Sequence, residues 1–179
     1  MNPSLSAIVV MGVAGCGKSC IGAAIAARSG GRLIEGDAFH PAANIAKMSA
    51  GIPLDDNDRA GWLIRLGQEL QAVIAAGERP ILTCSALKRR YRDTLRQAVP
   101  TLGFVFLELT PQEAEKRVRA RPGHFMPASL IDSQFAALEA PHGEPLTLAL
   151  DATRPIEALA EAVHVWLKPC GEPDLARTA

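Results

Sequence analysis

The segment at residues 7–28 constrains the fold more than any other part of the chain. Residues 7–11 form a short apolar run, AIVVM, and residues 12–19 after it read GVAGCGKS. This spacing fits G-x-x-x-x-G-K-[ST], a glycine-rich loop whose backbone N–H groups cradle phosphates. Residues 18–28 are rich in Ala and Ile and predict a helix. The order strand, glycine loop, helix therefore predicts a nucleotide-phosphate site.

The residues of the glycine loop are predicted to bind ATP. The glycines let successive amides face one anion, and the N-terminus of the helix adds partial positive charge. Lys18 is predicted to reach the β- and γ-phosphates and to act in catalysis, and the Ser19 hydroxyl to be a ligand of Mg²⁺. An ordinary glycine-rich turn with an exposed lysine is the alternative. The expected ATP contacts here are Gly12, Val13, Ala14, Gly15, Cys16, Gly17, Lys18, Ser19 and Cys20.

Composition indicates one globular domain in the cytoplasm. The chain has 179 residues, and 19 Lys and Arg balance 19 Asp and Glu. Because nucleic-acid binding needs a basic face, we expect no nucleic-acid partner. The first residues lack the regions of a secretory signal, and no apolar run approaches the roughly 18 residues of a membrane span. The four cysteines, without a C-x-x-C pair, are predicted to be thiols of a reducing compartment.

Five strands alternate with helices in the predicted order of elements. The strands are predicted at 7–11, 32–35, 80–84, 103–109 and 146–150, and the helices at 18–28, 42–50, after 55–58, 88–98, 111–121, 129–138 and 156–167. Such alternation indicates an α/β fold, a parallel sheet with helices on both faces, whose ligands bind at the carboxyl ends of the strands. We expect one domain at 1–168 and a flexible tail at 169–179.

Two acidic residues lie at the end of the second predicted strand. Glu35 and Asp37 should overlook the same crevice as the glycine loop. Kinases that phosphorylate hydroxyl groups need a carboxylate there, which accepts the hydroxyl hydrogen and aims the oxygen at the γ-phosphorus. We therefore predict Asp37 as a catalytic residue and Glu35 as support for the water shell of the metal. The alternative is a turn aspartate that caps the next segment.

A basic cluster begins the helix predicted at 88–98. Lys88, Arg89, Arg90 and Arg92 lie near the helix N-terminus, where positive charge opposes the macrodipole. This placement indicates an anionic ligand, such as a substrate carboxylate. Lys88 is closest to the strand end and is the predicted ligand. A plain surface cluster is the alternative.

The stretch 117–141 is the predicted lid. Arg117 and Arg121 are four residues apart on one helix face, and like charges at this spacing repel mildly unless an anion joins them. We predict that both contact ATP and act in catalysis by stabilising the transferring phosphates. An exposed pair between Arg117 and Glu113 is the alternative. His124 is predicted to lie in the lid near the substrate.

Several segments combine with the glycine loop into a more specific pattern. They are 35–41 (EGDAFHP), 44–48 (NIAKM), 53–59 (PLDDNDR), 62–63 (WL), 84–88 (CSALK), 91–93 (YRD) and 121–125 (RPGHF). Over about residues 8–141, this pattern resembles the gluconate kinase family. The resemblance implies the three-layer P-loop kinase fold of nucleoside-monophosphate and shikimate kinases, with the strand order 2-3-1-4-5 and a helical lid.

The resemblance also implies an activity. The family transfers the γ-phosphate of ATP, with Mg²⁺, to the 6-hydroxyl of D-gluconate and gives 6-phosphogluconate, and its members are commonly homodimers. Asp37 matches the residue that orients the 6-hydroxyl, while His40, Arg59, Lys88 and the lid residue His124 are candidates for the sugar acid. The sequence departs from the expected pattern at Pro122, where another basic lid residue is expected.

Two rival functions use the same loop. A shikimate-type kinase of another carboxylated polyol also places an aspartate after strand two, although the segments 40–41 and 84–88 resemble gluconate kinase. A nucleotide-binding regulatory module would bind GTP without chemistry on a small acceptor. Such a module should carry an Asn-Lys-x-Asp guanine reader, and the sequence has none.

Overall fold

The fold is built on a parallel β-sheet. In the computed structural model, which describes residues 4–120 and 128–168, the strands are β1 (Ala7–Met11), β2 (Arg32–Glu35), β3 (Pro80–Thr83), β4 (Leu102–Glu108) and β5 (Thr147–Asp151). They lie in the order β2-β3-β1-β4-β5, and each neighbouring pair is parallel. The predicted α/β fold and its strand order are therefore confirmed.

Helices connect the strands at nearly the predicted positions. They are α1 (Lys18–Ser29), α2 (Ala42–Ser49), α3 (Asp56–Ala75), α4 (Arg89–Ala98), α5 (Pro111–Arg119), α6 (Ala128–Ala137) and α7 (Ile156–Leu167). A turn is expected between β2 and Pro41, and a 3₁₀ turn at Gly36–Phe39 lies there. No helix in the described ranges is long and apolar enough to cross a membrane.

The central strand β1 contributes to both apolar layers. Ile8 and Val10 pack with residues of α1 and α7, whereas Val9 and Met11 pack with residues of α3 and α4. All five residues of β1 are fully buried. This burial is expected for a parallel strand covered on both faces, and it explains the continuous apolar run in the sequence.

The N-terminus of α3 has a reciprocal cap. The Asp55 carboxylate accepts a hydrogen bond from the Asp58 amide at 2.8 Å, and the Asp58 carboxylate accepts one from the Asp55 amide at 3.0 Å. These bonds satisfy amides that lack a carbonyl partner within the helix. They fix the first turn, and Arg59 follows directly.

Replacing Asp55 with alanine should therefore lower the free energy of unfolding by about 1 kcal/mol, because the Asp58 amide loses its partner. Urea unfolding followed by circular dichroism measures the change. Asn57→Ala in the same exposed turn is the control and should stay within about 0.5 kcal/mol of the parent. Equal stabilities for the two variants would contradict the importance of the cap.

Candidate active site

The loop between β1 and α1 is shaped to bind an anion. Gly12, Gly15 and Gly17 all have positive φ values, of 147°, 81° and 94°. A Cβ at Gly12 would lie 2.7 Å from Cys16 Sγ and 2.9 Å from the Leu107 carbonyl, so only glycine fits there. The amides of Lys18 and Ser19 lie in the first turn of α1, where no preceding helical carbonyl is available to them. The loop therefore presents open N–H groups to a phosphate.

Lys18 lies folded over this loop. Its Nζ donates hydrogen bonds to the carbonyls of Gly12 and Val13, each at 3.1 Å. These two bonds hold the ammonium group beside the open amides. The loop thus combines a fixed cation with backbone donors, as phosphate binding requires.

Three oxygen-bearing side chains meet beside Lys18. The Glu35 carboxylate accepts hydrogen bonds from the hydroxyls of Ser19, at 3.0 Å, and Thr83, at 2.5 Å. Glu35 and Thr83 are direct partners in the β2–β3 register, which explains why their side chains meet. Thr83 is not among the site residues predicted from the sequence. Hydroxyl and carboxylate oxygens are donors that suit Mg²⁺, so this cluster fits the predicted metal position.

Asp37 lies in the 3₁₀ turn after β2. Its carboxylate is 83% exposed, and its Oδ1 is 3.8 Å from His40 Nε2. The turn is fixed at Gly36, whose carbonyl accepts a hydrogen bond from Trp62 Nε1 at 2.9 Å. A Cβ at Gly36 would lie only 2.3 Å from the Thr83 carbonyl, so the close packing of this turn on β3 needs glycine. The backbone of the turn is therefore fixed, while the carboxylate of Asp37 is exposed to solvent.

Cys84 follows β3 and is buried at the carboxyl end of the sheet. Burial raises the pKa of the Cys84 thiol to about 12; nearby Asp37 raises that pKa further, while Lys18 and Arg59 lower it. The thiol is therefore neutral at physiological pH. Ser85, the next residue, joins two parts of the site, because its carbonyl accepts a hydrogen bond from the Gly12 amide at 3.3 Å and its hydroxyl lies 3.5 Å from Arg59 Nη1.

His40 is buried behind Asp37. Its ring stacks on Trp62 with centroids 4.0 Å apart, and its Nδ1 is 3.3 Å from Asn44 Nδ2. Burial lowers the pKa of His40, so the imidazole is neutral at pH 7. With Nε2 directed towards Asp37, His40 lies at the predicted site but has little exposed surface of its own.

The predicted carboxylate ligands Lys88 and Arg59 have different surroundings. Lys88 Nζ donates to Asp56 at 2.8 Å, and Arg90 and the Tyr91 hydroxyl contact the same carboxylate. The hydrogen bond from Lys88 is the main reason that the pKa of Asp56 falls to about 2. Arg59 makes 3.5 Å contacts with Ser85 Oγ and the Leu54 carbonyl, and its guanidinium lies 5.6 Å from the centroid of the Tyr91 ring; no described carboxylate pairs with it. Arg59 is thus the more available cation.

Arg92 does not belong to an exposed anion-binding cluster. It is fully buried and donates to the carbonyls of Ala86, Leu87 and Glu139 and to the Glu144 carboxylate. The basic run at 88–92 is therefore divided between the surface and the interior. Arg92 holds the turn after β3, where Ala86 has a strained φ of 44°.

Arg117 lies on α5, next to the glycine loop. Ala114 and Val118 of the same helix pack against Gly15. Arg117 Nε donates to the Glu113 carboxylate at 3.1 Å, which is the pair named as the alternative in the sequence prediction. Arg117 Nη2 donates to the Ala152 carbonyl at 3.1 Å. Its predicted contact with ATP stays a prediction. Arg121 and His124 lie outside the described residues.

Comparisons with known proteins place the chain in a family. A family model described as an AAA domain matches residues 8–143. Gluconokinase from Gluconobacter oxydans is 45% identical over 158 residues, covering 88% of this chain and 89% of that protein. The thermoresistant gluconokinase of Escherichia coli is 37% identical over 161 residues, covering 89% and 92%.

The chain belongs to the gluconokinase family.

Solved structures agree with this assignment. A gluconokinase from Sinorhizobium meliloti has a TM-score of 0.82 at 47% identity, covering 92% of this chain and 94% of that one. The APS kinase CysC of Mycobacterium tuberculosis, at 20% identity and a TM-score of 0.63, covers 90% and 95% and shares the fold. For this gluconokinase-family chain, the structure brings Lys18, Ser19, Asp37 and Arg59 to one sheet edge.

Proposed function

We propose that this member of the gluconokinase family transfers the γ-phosphate of ATP to the 6-hydroxyl of D-gluconate. The observation that carries the proposal is the placement of Lys18 in the loop after β1, Asp37 in the turn after β2 and Arg59 against the segment after β3, at the carboxyl ends of three neighbouring strands. These residues supply a cation for the nucleotide, a carboxylate base for the acceptor hydroxyl and a cation for a carboxylated acceptor. High identity to named gluconokinases over most of the chain supports the choice of acceptor.

On the nucleotide side, the open amides of the loop and Lys18 would bind the β- and γ-phosphates. Lys18 is held by the carbonyls of Gly12 and Val13, so its charge is in place before ATP arrives. Such fixed charge stabilises the migrating phosphoryl group without reorganisation during the reaction. Arg117 and Arg121 are proposed to add positive charge over the same phosphates.

Mg²⁺ is proposed as the metal of the reaction. Ser19 would be its direct protein ligand, and Glu35, joined to Ser19 and Thr83, would hold part of its water shell. When bound, the metal would neutralise charge on the β- and γ-phosphates. The described residues contain no group of three or more His, Cys, Asp or Glu that could hold a metal, so phosphate oxygens would complete the shell.

On the acceptor side, Asp37 would accept the hydrogen of the 6-hydroxyl and direct its oxygen at the γ-phosphorus. Buried His40 lies 3.8 Å from Asp37. We propose that it contacts the sugar acid beside that carboxylate. Arg59 would bind the sugar-acid carboxylate, while Lys88 and His124 are further candidates for its oxygens. Oxygen–phosphorus bond formation at gluconate and cleavage at the β–γ bridge then give 6-phosphogluconate and ADP.

Replacing Arg59 with methionine should raise KM for gluconate by about tenfold or more, since a charge-assisted hydrogen bond contributes about 1.5–3 kcal/mol. KM for ATP should change by less than about threefold, because Arg59 is assigned to the acceptor. The matched control is Arg65→Met on the same helix, where Arg65 pairs with Glu69 at 2.6 Å. Equal effects on both substrates would contradict the assignment.

A coupled assay of ADP release tests the function. Gluconate, shikimate and a few neutral sugars are compared at equal concentration, and gluconate should give the highest kcat/KM. Preference for shikimate would favour a shikimate-type kinase. Nucleotide hydrolysis without stimulation by any sugar acid would favour a regulatory module.

The proposal also includes a cytoplasmic homodimer, as the resemblance to the family implies. Sedimentation equilibrium of the purified chain should give twice the monomer mass of 19.0 kDa. A mass of one chain at all concentrations would contradict the dimer and leave the catalytic assignment unchanged.

A further inference from the structure

Helix α6 carries a polar residue on its core-facing side. Leu130 and Ile131 are buried, and Phe135 and Leu138 are half-buried and pack against the apolar core. Gln134 lies three and four residues from Ile131, Leu130 and Leu138, so it shares their face of the helix. A glutamine at such a position needs a hydrogen-bond partner.

The partner of Gln134 is the glycine loop. Gln134 Oε1 accepts a hydrogen bond from the Ala14 amide at 2.8 Å, across 120 residues of sequence. Ile131, one turn earlier, belongs to the same apolar cluster as Val13 and Cys16. Helix α6 therefore supports the loop through packing and through one directional hydrogen bond.

The residues after α6 are fixed to the opposite side of the site. The Glu139 amide donates to the Leu87 carbonyl at 2.8 Å, and the Glu139 carboxylate accepts from the Arg89 amide at 2.6 Å. Buried Arg92 donates to the Glu139 carbonyl at 2.8 Å. These bonds tie the C-terminal end of α6 to the turn after β3, so α6 is anchored where it supports the loop.

We infer that Gln134 is a positioning residue for nucleotide binding. By holding the Ala14 amide, it fixes the curvature of the glycine loop and leaves the amides of Lys18 and Ser19 open to phosphate. A carboxamide suits this place because it accepts a hydrogen bond without adding negative charge beside a polyphosphate. The inference rests on the proposed function only in taking an adenine nucleotide as the ligand of the loop.

The test is calorimetric binding of ADP with Mg²⁺ to the full chain, without acceptor. Gln134→Met keeps the side-chain length but removes the acceptor oxygen, and it should raise Kd about tenfold, the effect of losing one net hydrogen bond. Gln134→Glu keeps the hydrogen bond and adds a charge. Its Kd should also rise at about 0.05 M salt and return towards the parent value at about 0.5 M, where the repulsion is screened.

Ser133→Ala is the matched control, since the Ser133 hydroxyl donates to the Leu130 carbonyl of its own helix, and its Kd should stay within about twofold of the parent. If Gln134→Met folds and binds ADP as the parent does, or more tightly, the inference fails. It also fails if Gln134→Glu shows the parent Kd at low salt, as a merely structural role predicts. A parent that binds ADP but does not phosphorylate gluconate would instead contradict the proposed function.

Discussion

Replacing Lys18 with alanine is expected to lower kcat by about 10²–10³-fold, the cost of removing one fixed group that stabilises transition-state charge. Lys18 Nζ donates to two loop carbonyls at 3.1 Å, and these bonds hold its charge beside the loop. Without it, the charge of the migrating phosphoryl group loses its nearest protein cation. KM for ATP should rise as well, because the same ammonium group is proposed to contact the phosphates of ATP before transfer.

Steady-state rates from a coupled assay measure this effect. The control is Lys116→Ala on α5, because the Lys116 side chain is 78% exposed and forms a long ion pair with Glu113 at 3.8 Å. Its kcat should equal that of the parent. A kcat for Lys18→Ala within about tenfold of the parent would mean that the loop does not act on the transferred phosphate.

Replacing Asp37 with asparagine is expected to lower kcat by about 10²–10⁴-fold, the range for loss of a general base. The substitution preserves the shape of the side chain but removes its ability to accept a proton. The backbone turn should remain, because it is held by Trp62 and by the packing of Gly36 against Thr83. KM for ATP should therefore change little. A lower kcat with an unchanged KM for ATP would identify Asp37 as a group that acts on the acceptor hydroxyl.

The control for this substitution is Asp93→Asn on α4, where Asp93 is half-exposed and pairs with Arg96 at 3.1 Å. That variant should retain the parent kcat. Near-normal kcat in Asp37→Asn would assign Asp37 to the turn alone, as the capping alternative supposes. A large rise in KM for ATP with unchanged kcat would also contradict a role towards the acceptor.

The fold was predictable because its signals are local. The apolar run at β1, the glycines of the loop and the caps at Asp55 and Thr110 are each visible within a few residues. Strand boundaries differ from the prediction by one residue at several ends. The strand order followed from the resemblance to the family, since local periodicity does not determine which strands are neighbours.

The site was less predictable because its geometry depends on distant pairs. Glu35 meets Thr83 only through strand register, and Asp56 binds Lys88 only because α3 and α4 lie side by side. The burial of Arg92 contradicts the reading of its segment as one exposed basic face. One local signal could have pointed to a further residue: Gln134 interrupts an apolar helix face, which indicates a hydrogen bond, and this bond is partly buried.

The position of the phosphate on the product tests the central claim most directly. Purified protein is incubated with ATP, Mg²⁺ and gluconate, and the product is identified by phosphorus and carbon NMR. We predict one phosphomonoester whose phosphorus couples to the carbon and protons of position 6, formed together with an equal amount of ADP. Phosphate on another oxygen, or inorganic phosphate as the sole product, would contradict the assignment of Asp37 and the loop to this transfer.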